Sequence, residues 1–279
     1  MAHGLFPHQQ IGDFTITGLS DGYLNTDINF LSNIEKQNAL QIQSAAGVDD
    51  PASIHIGCYL IQGKGQTILI DSGAGGIKPW GGLLKDNLAL MNITPLDIDT
   101  ILLTHAHPDH IGGLLLPSEK PVFPNAKLML HQNELAYWTS DQQMEQASER
   151  AQGNFAIARK VFSEYSNQLQ AFNSTDILPE IKAIPLPGHT PGHTGYMIES
   201  EGQKLLIWGD IVHFPYIQIV HPDVAIAFDC DQSIARLTRA NVLKMASSAH
   251  LLIGGMHLGT SGFAYISEEE NKFKINYLC

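Results

Sequence analysis

Ile101-Leu102-Leu103-Thr104-His105-Ala106-His107-Pro108-Asp109-His110 is an apolar run that ends directly in four metal-competent side chains. On an extended backbone residues two apart point the same way, so His105 and His107 can converge on one ion. Pro108 fixes its own φ and restricts the residue before it, which turns the chain. Asp109 and His110 then face elsewhere and are free to hold a second ion. Neutral imidazole and carboxylate suit zinc and similar first-row divalent ions, and a carboxylate among imidazoles favours a catalytic over a closed structural site. Four ligands cannot complete two sites, so further donors are required downstream, each at a strand end or in a Gly-rich loop.

Three stretches supply them. Pro187-Gly188-His189-Thr190-Pro191-Gly192-His193-Thr194 is a loop with two histidines, Trp208-Gly209-Asp210 ends an apolar run in a carboxylate, and Ile253-Gly254-Gly255-Met256-His257 ends another in an imidazole. Asp210 has two oxygens and is the natural bridge between ions roughly 3.5 to 4 Å apart. The chain has 13 His against 16 Lys+Arg, an unusual ratio, but His3, His8, His55, His131, His221 and His250 have no motif context and default to surface or packing roles.

Taken together these residues resemble the metallo-β-lactamase-fold hydrolases and their H-x-H-x-D-H signature. The resemblance runs from Gly12-Asp13-Phe14 to His257, nearly the whole chain. It implies an α+β fold, a four-layer αββα sandwich of two similar halves with the metals at one edge between the sheets. It also implies that His105, His107 and His193 bind the first metal, that Asp109, His110 and His257 bind the second, and that Asp210 bridges both. His189 is then a histidine that braces the loop, and Asp71, in Leu69-Ile70-Asp71-Ser72-Gly73, is a buried structural carboxylate beneath the metal loops. Two divalent ions are the implied cofactors, zinc first, with cobalt, manganese or iron as alternatives.

Within the family, Gly12 to Thr17 with Ser20-Asp21-Gly22, Phe123-Pro124-Asn125-Ala126, Pro187 to Thr194 and Ile275-Asn276-Tyr277 look like the methyl parathion hydrolase branch. Enzymes of that branch and its neighbours hydrolyse lactones, aryl esters and in some cases organophosphate triesters. The implied substrate pocket is Trp138, Phe155, Ile226 and Phe228, aromatic and aliphatic walls that suit an uncharged ester. Lys78, in Gly75-Gly76-Ile77-Lys78-Pro79-Trp80, falls where the phosphotriesterase pattern has an aromatic wall, and His213 replaces an aliphatic residue. A donor at His213 suits a lactone oxygen or a leaving alkoxide.

The expected activity is therefore lactonase or arylesterase, with organophosphate triesters as the runner-up. The expected mechanism is attack by a metal-bridging hydroxide, with Asp109 shuttling the proton and Asp210 holding both ions. A glyoxalase II-type thioesterase would share the ligands but would need a basic patch, and no run of Lys or Arg is present; a non-catalytic metal-binding scaffold would be expected to have lost ligands. A β-lactamase would commonly bring a Cys or His set in place of the Asp109 and Asp210 ligands, and an iron-dependent oxidoreductase a flavin domain or a mononuclear site.

Composition bounds the rest. With 279 residues, 44% hydrophobic and 16% charged, the chain is neither disordered nor fibrous. A net charge of −12 without basic clusters argues against nucleic acid as a partner. No stretch approaches the roughly 18 to 20 apolar residues of a membrane helix. Cys58, Cys230 and Cys279 are odd in number and widely spaced, and Met1 to Gln10 carries no basic cluster before an apolar run, so a reduced, cytoplasmic setting is expected. The partner is a small-molecule ester or lactone, and a homodimer is the assembly that the resemblance implies.

Without repeats or linkers, residues 1–279 are expected to form one domain. Strands are expected at Phe14 to Leu19, Cys58 to Gln62, Thr67 to Asp71, Thr100 to Leu103, Ile181 to Ile184, Gly195 to Glu199, Lys204 to Trp208 and Leu251 to Ile253. A hairpin turn is expected at Gly63-Lys64-Gly65. Leu83, Leu84, Leu88 and Met91 have helical spacing, as do Ala158, Val161, Phe162, Tyr165 and Leu169, and a further helix should start near Asp231 and run to about Ala246.

Overall fold

Two seven-stranded sheets lie face to face in the computed structural model, which describes residues 5–278; His3 and Cys279 lie outside the described residues. The first sheet runs His8–Ile11, Phe14–Asn25, Ser53–Gly63, Gln66–Ile70, Thr100–Leu102, Lys127–His131 and Leu169–Phe172 in spatial order. It is antiparallel as far as Gln66–Ile70 and parallel from there on. The second runs from Asp176–Leu178 through Ile181–Pro185, Thr194–Ser200, Gln203–Ile207, Leu252–Gly254 and Phe263–Glu269 to Lys272–Tyr277, with one parallel pair, Gln203–Ile207 beside Leu252–Gly254.

Alternation along the strands sets the layers. Ile68, Ile70, Tyr59 and Ile61 face inward and meet Tyr196, Ile198, Leu205 and Ile207 of the second sheet. Leu60, Leu69, Ile101 and Leu128 face outward and are covered by Leu84 and Leu88 of the helix Leu84–Leu90 and by Phe155, Ala158 and Val161 of the helix Glu149–Glu164. On the far side, Leu206, Ile253 and Ile266 pack under Val242, Leu243 and Ala246 of the helix Gln232–Ser248. The result is the expected αββα sandwich.

Local signals account for most boundaries. The Ser53–Gly63 and Gln66–Ile70 strands turn at Lys64 and Gly65, with φ of 51° and 75°, the two left-handed residues of a type I′ hairpin. The Asp231 carboxylate accepts from the N–H groups of Ser233 and Ile234 and starts the Gln232–Ser248 helix. The apolar stripe from Ala158 differs from expectation at its end: Tyr165 closes the helix, and Leu169 opens an edge strand paired with Leu128. Lys127–His131, the closing hairpin Phe263–Tyr277 and the strand His8–Ile11 were not among the expected strands. Among the described residues no helix is long and apolar enough to cross a membrane.

Candidate metal centre

Strand ends deliver the functional side chains. Thr100–Leu102 runs into the loop of His105 and His107 and the short helix Pro108–Ile111, which carries Asp109 and His110. Gln203–Ile207 leads to Asp210 and Leu252–Gly254 to His257, while the Pro187 to His193 loop enters Thr194–Ser200. His105 Nε2 and His189 Nε2 lie 3.0 and 2.9 Å from His107 Nδ1, so three ring nitrogens converge. Beside them, Asp109, His110, Asp210 and His257 form a second group. There His110 Nε2 is 3.4 Å from Asp109 and 3.2 Å from Asp210, and His257 Nε2 is 3.1 Å from Asp210.

Asp210 joins the two groups. Its Oδ2 is also 3.6 Å from His105 Nε2, 3.4 Å from His189 Nε2 and 3.3 Å from His213 Nε2. The residues fit a pair of divalent ions on chemical grounds. Buried Asp210 Oδ1 has no hydrogen-bond partner, a costly arrangement unless a cation completes it. Burial, reinforced by neighbouring imidazoles, holds His105 and His107 well below the usual histidine range, which leaves the neutral ligand form. Burial would raise Asp210, but His110, His257 and His105 outweigh it and keep the carboxylate ionised.

Outer partners fix the rings. Asp71, with φ of 57°, accepts from the Thr104 N–H at 2.8 Å, from the Thr104 hydroxyl at 2.6 Å and from His110 Nδ1 at 2.7 Å. His257 Nδ1 donates to the His55 carbonyl at 2.6 Å, and His189 Nδ1 pairs with Asp229 at 2.9 Å. Each leaves its Nε2 for the cluster, the arrangement that orients metal-binding histidines.

His193 and His189 exchange the roles expected from the sequence. Both ring nitrogens of His193 are committed to backbone: Nδ1 lies 2.8 Å from the Leu186 carbonyl, and Nε2 accepts the Asp210 N–H at 2.9 Å. Burial pushes it down to about 3, and it holds the Asp210 backbone in place instead of joining the cluster. Gly209 makes room for this, since a Cβ there, at φ of 60°, would stand 2.4 Å from His193 Nε2. His189 takes the cluster position. Burial alone would lower it, but Asp210 and Asp229 together lift it to about 9.

A family model described as the metallo-beta-lactamase superfamily matches residues 56–257. The chain belongs to this superfamily. Two solved structures overlay closely on it. The hydrolase AbOPH of the beta lactamase superfamily is 27% identical with a TM-score of 0.92, covering 98% of this chain and 97% of that one. AidC, a dizinc quorum-quenching lactonase solved with a hexanoyl-homoserine product, is 26% identical, with the same TM-score and coverage. Among curated proteins, the uncharacterised YobT of Bacillus subtilis is 28% identical over 160 residues, 57% of this chain and 63% of YobT. The chain thus spans less than two thirds of that relative's length.

In this metallo-beta-lactamase superfamily chain a cavity opens over the cluster. His107, Asp109, Asp210 and His257 form its floor, with His189 and His213 beside them, and Leu24, Phe30, Ile54, Trp80 and Phe228 are its apolar walls. Lys78 also lines it. Trp138, Phe155 and Ile226, expected as walls, do not. Trp138 donates its indole N–H to buried Glu134 and packs edge-on to His107, Phe155 lies behind it in the helix-covered core, and Ile226 is buried with Phe214 and Ile217. His213 stacks on His257 with ring centroids 5.1 Å apart, and its Nδ1 is buried without a partner.

Sequence reasoning passed over Asp229 and Glu134. The Glu134 carboxylate accepts four donors, the Ala106 and Gly192 N–H groups, the Trp138 indole and the Thr190 hydroxyl, and so ties the His105–His107 loop to the His189 loop. Neither residue lies in a motif. The weak signal for Glu134 was an acidic residue four positions before Trp138, on the same helix face.

Proposed function

We propose that this protein hydrolyses lactones and aryl esters at a centre of two divalent ions, zinc in the first instance. One observation carries the reading: the cluster forms the floor of an apolar-walled cavity, so an ester seated there lays its carbonyl against the ligand side chains. The similarity to AidC, itself a dizinc lactonase, supports the same class. The ions, when bound, supply Lewis acidity and a water that ionises near neutral pH.

The remaining work falls to side chains. His105, His107, His189, Asp109, His110, Asp210 and His257 would hold the ions, with Asp210 lying between the two groups. Asp109 lines the cavity and would be the carboxylate placed to take a proton from an attacking water. His213 lines the same cavity with its Nε2 3.3 Å from Asp210, and is the donor assigned to the departing alkoxide. The apolar walls exclude water from the acyl or aryl portion.

The test is kcat/KM on the zinc-loaded protein for an aryl lactone, an acyl-homoserine lactone and a methyl phosphotriester. A lactone should lead by several decades. A leading phosphotriester would move the assignment to the organophosphate hydrolases, and no turnover of any of the three would refute the reading.

A further inference from the structure

The cavity above the cluster carries two cations that no carboxylate among the described residues neutralises. Arg150 stands at the start of the Glu149–Glu164 helix and Lys78 in the loop before Pro79, and both line the cavity. The Arg150 guanidinium lies 4.9 Å from the ring centre of Phe228 and 5.9 Å from that of Phe30, and one of its N–H groups donates to the Ala227 carbonyl at 3.2 Å. The Lys78 ammonium lies 4.4 Å from the ring centre of Trp80. No ion pair among the described residues includes either one. Of the residues lining the cavity only Asp109 and Asp210 are acidic, and both belong to the floor.

The chain has 28 acidic residues to place against 16 basic ones, yet sets none at this rim. Lys78 moreover adopts φ of 54°, a left-handed conformation that disfavours any residue with a Cβ. Two like charges facing one cavity repel, and an anion between them relieves that. A guanidinium held against two aromatic faces is oriented in advance, and a planar carboxylate matches its fork of N–H donors.

We propose that Lys78 and Arg150 form a subsite for a carboxylate carried by the substrate away from its scissile ester. The proposal rests on the hydrolase reading above and replaces the expectation of a wholly uncharged substrate. It also brings together, from two positions far apart in sequence, a pair of basic groups in a chain that has no run of Lys or Arg.

The probes are mono-4-nitrophenyl glutarate and 4-nitrophenyl butyrate, which share a leaving group and differ in a terminal carboxylate. On the zinc-loaded protein in about 20 mM salt, the glutarate ester should lead in kcat/KM by about tenfold, chiefly through KM, and the lead should shrink in about 500 mM salt. In the double variant Lys78→Met/Arg150→Met the ratio of the two esters should fall toward one. A ratio near one in the wild type, or one that salt and the double variant leave unchanged, overturns the subsite. Calorimetric binding of glutarate against butyrate gives a readout without turnover. Tighter glutarate binding that is lost in the double variant and in salt supports the subsite even if neither ester is cleaved, in which case the hydrolase reading alone fails. Equal binding refutes the subsite whatever the turnover.

Discussion

Asp229 Oδ1 lies 2.9 Å from His189 Nδ1, on the side of the ring turned away from the cluster. The carboxylate, itself 3.8 Å from the Arg239 guanidinium, sets which nitrogen of His189 faces His107 and Asp210. That pairing separates the two histidines of the Pro187–Thr194 loop by role, and the difference can be measured.

His189→Ala should leave about one tightly held ion per chain after dialysis, and Asp229→Ala should weaken ion binding by about 10- to 100-fold while keeping the fold. His193→Ala should retain both ions and instead lower the thermal midpoint. Elemental analysis of the three variants decides the matter. Two ions in His189→Ala together with loss from His193→Ala would restore the assignment expected from the sequence.

Glu134→Gln places an amide N–H₂ against two of the four donors that the carboxylate now accepts. Buried donors left without an acceptor cost about 1–3 kcal/mol each, so urea unfolding should show a loss of roughly 3 kcal/mol. Because Glu134 ties two ligand loops together, metal affinity should fall in the same variant. Unchanged affinity would show that the loops hold their positions without it.

Burial, with the nearby His257 charge, pushes His55 down to about 4 from an ordinary histidine value of 6.5. The unfolded chain therefore binds a proton at this residue between those two values while the folded chain does not, so stability contributed by neutral His55 is full above 6.5 and is lost as pH falls. In His55→Gln that contribution to the slope disappears. Unfolding free energies of the metal-free proteins should converge on acidification, with wild type losing about 2 kcal/mol more than the variant between pH 7 and pH 5. Parallel curves would show that His55 titrates alike in both states.

Strand ends are visible in a sequence because apolar alternation stops at Gly, Asp or His, and the side chains that meet in the cluster stand at such ends or in one Gly-rich loop. The choice between His189 and His193 was not visible. It is made by the Asp210 backbone, the Leu186 carbonyl and the left-handed turn at Gly209, contacts that only the folded loop creates. Phe155 stands three residues before Ala158 and belongs to the same helical stripe, so periodicity already favoured the core over the cavity for it. Lys78 and Arg150 lie in a loop and at a helix start far apart in sequence, and no local pattern links them.

The cluster draws His105, His107, Asp109 and His110 from one sheet's edge and His189, Asp210 and His257 from the other's, across an interior of interlocking Ile, Leu and Tyr side chains. Ion affinity is consequently a gauge of how the two halves are registered. A substitution deep in that interior, at Ile70 or Ile207 for instance, that slides one sheet against the other by a fraction of an ångström alters the bite of every ligand at once. Such a change would surface first as altered exchange of the ions with solution, before any loss of secondary structure.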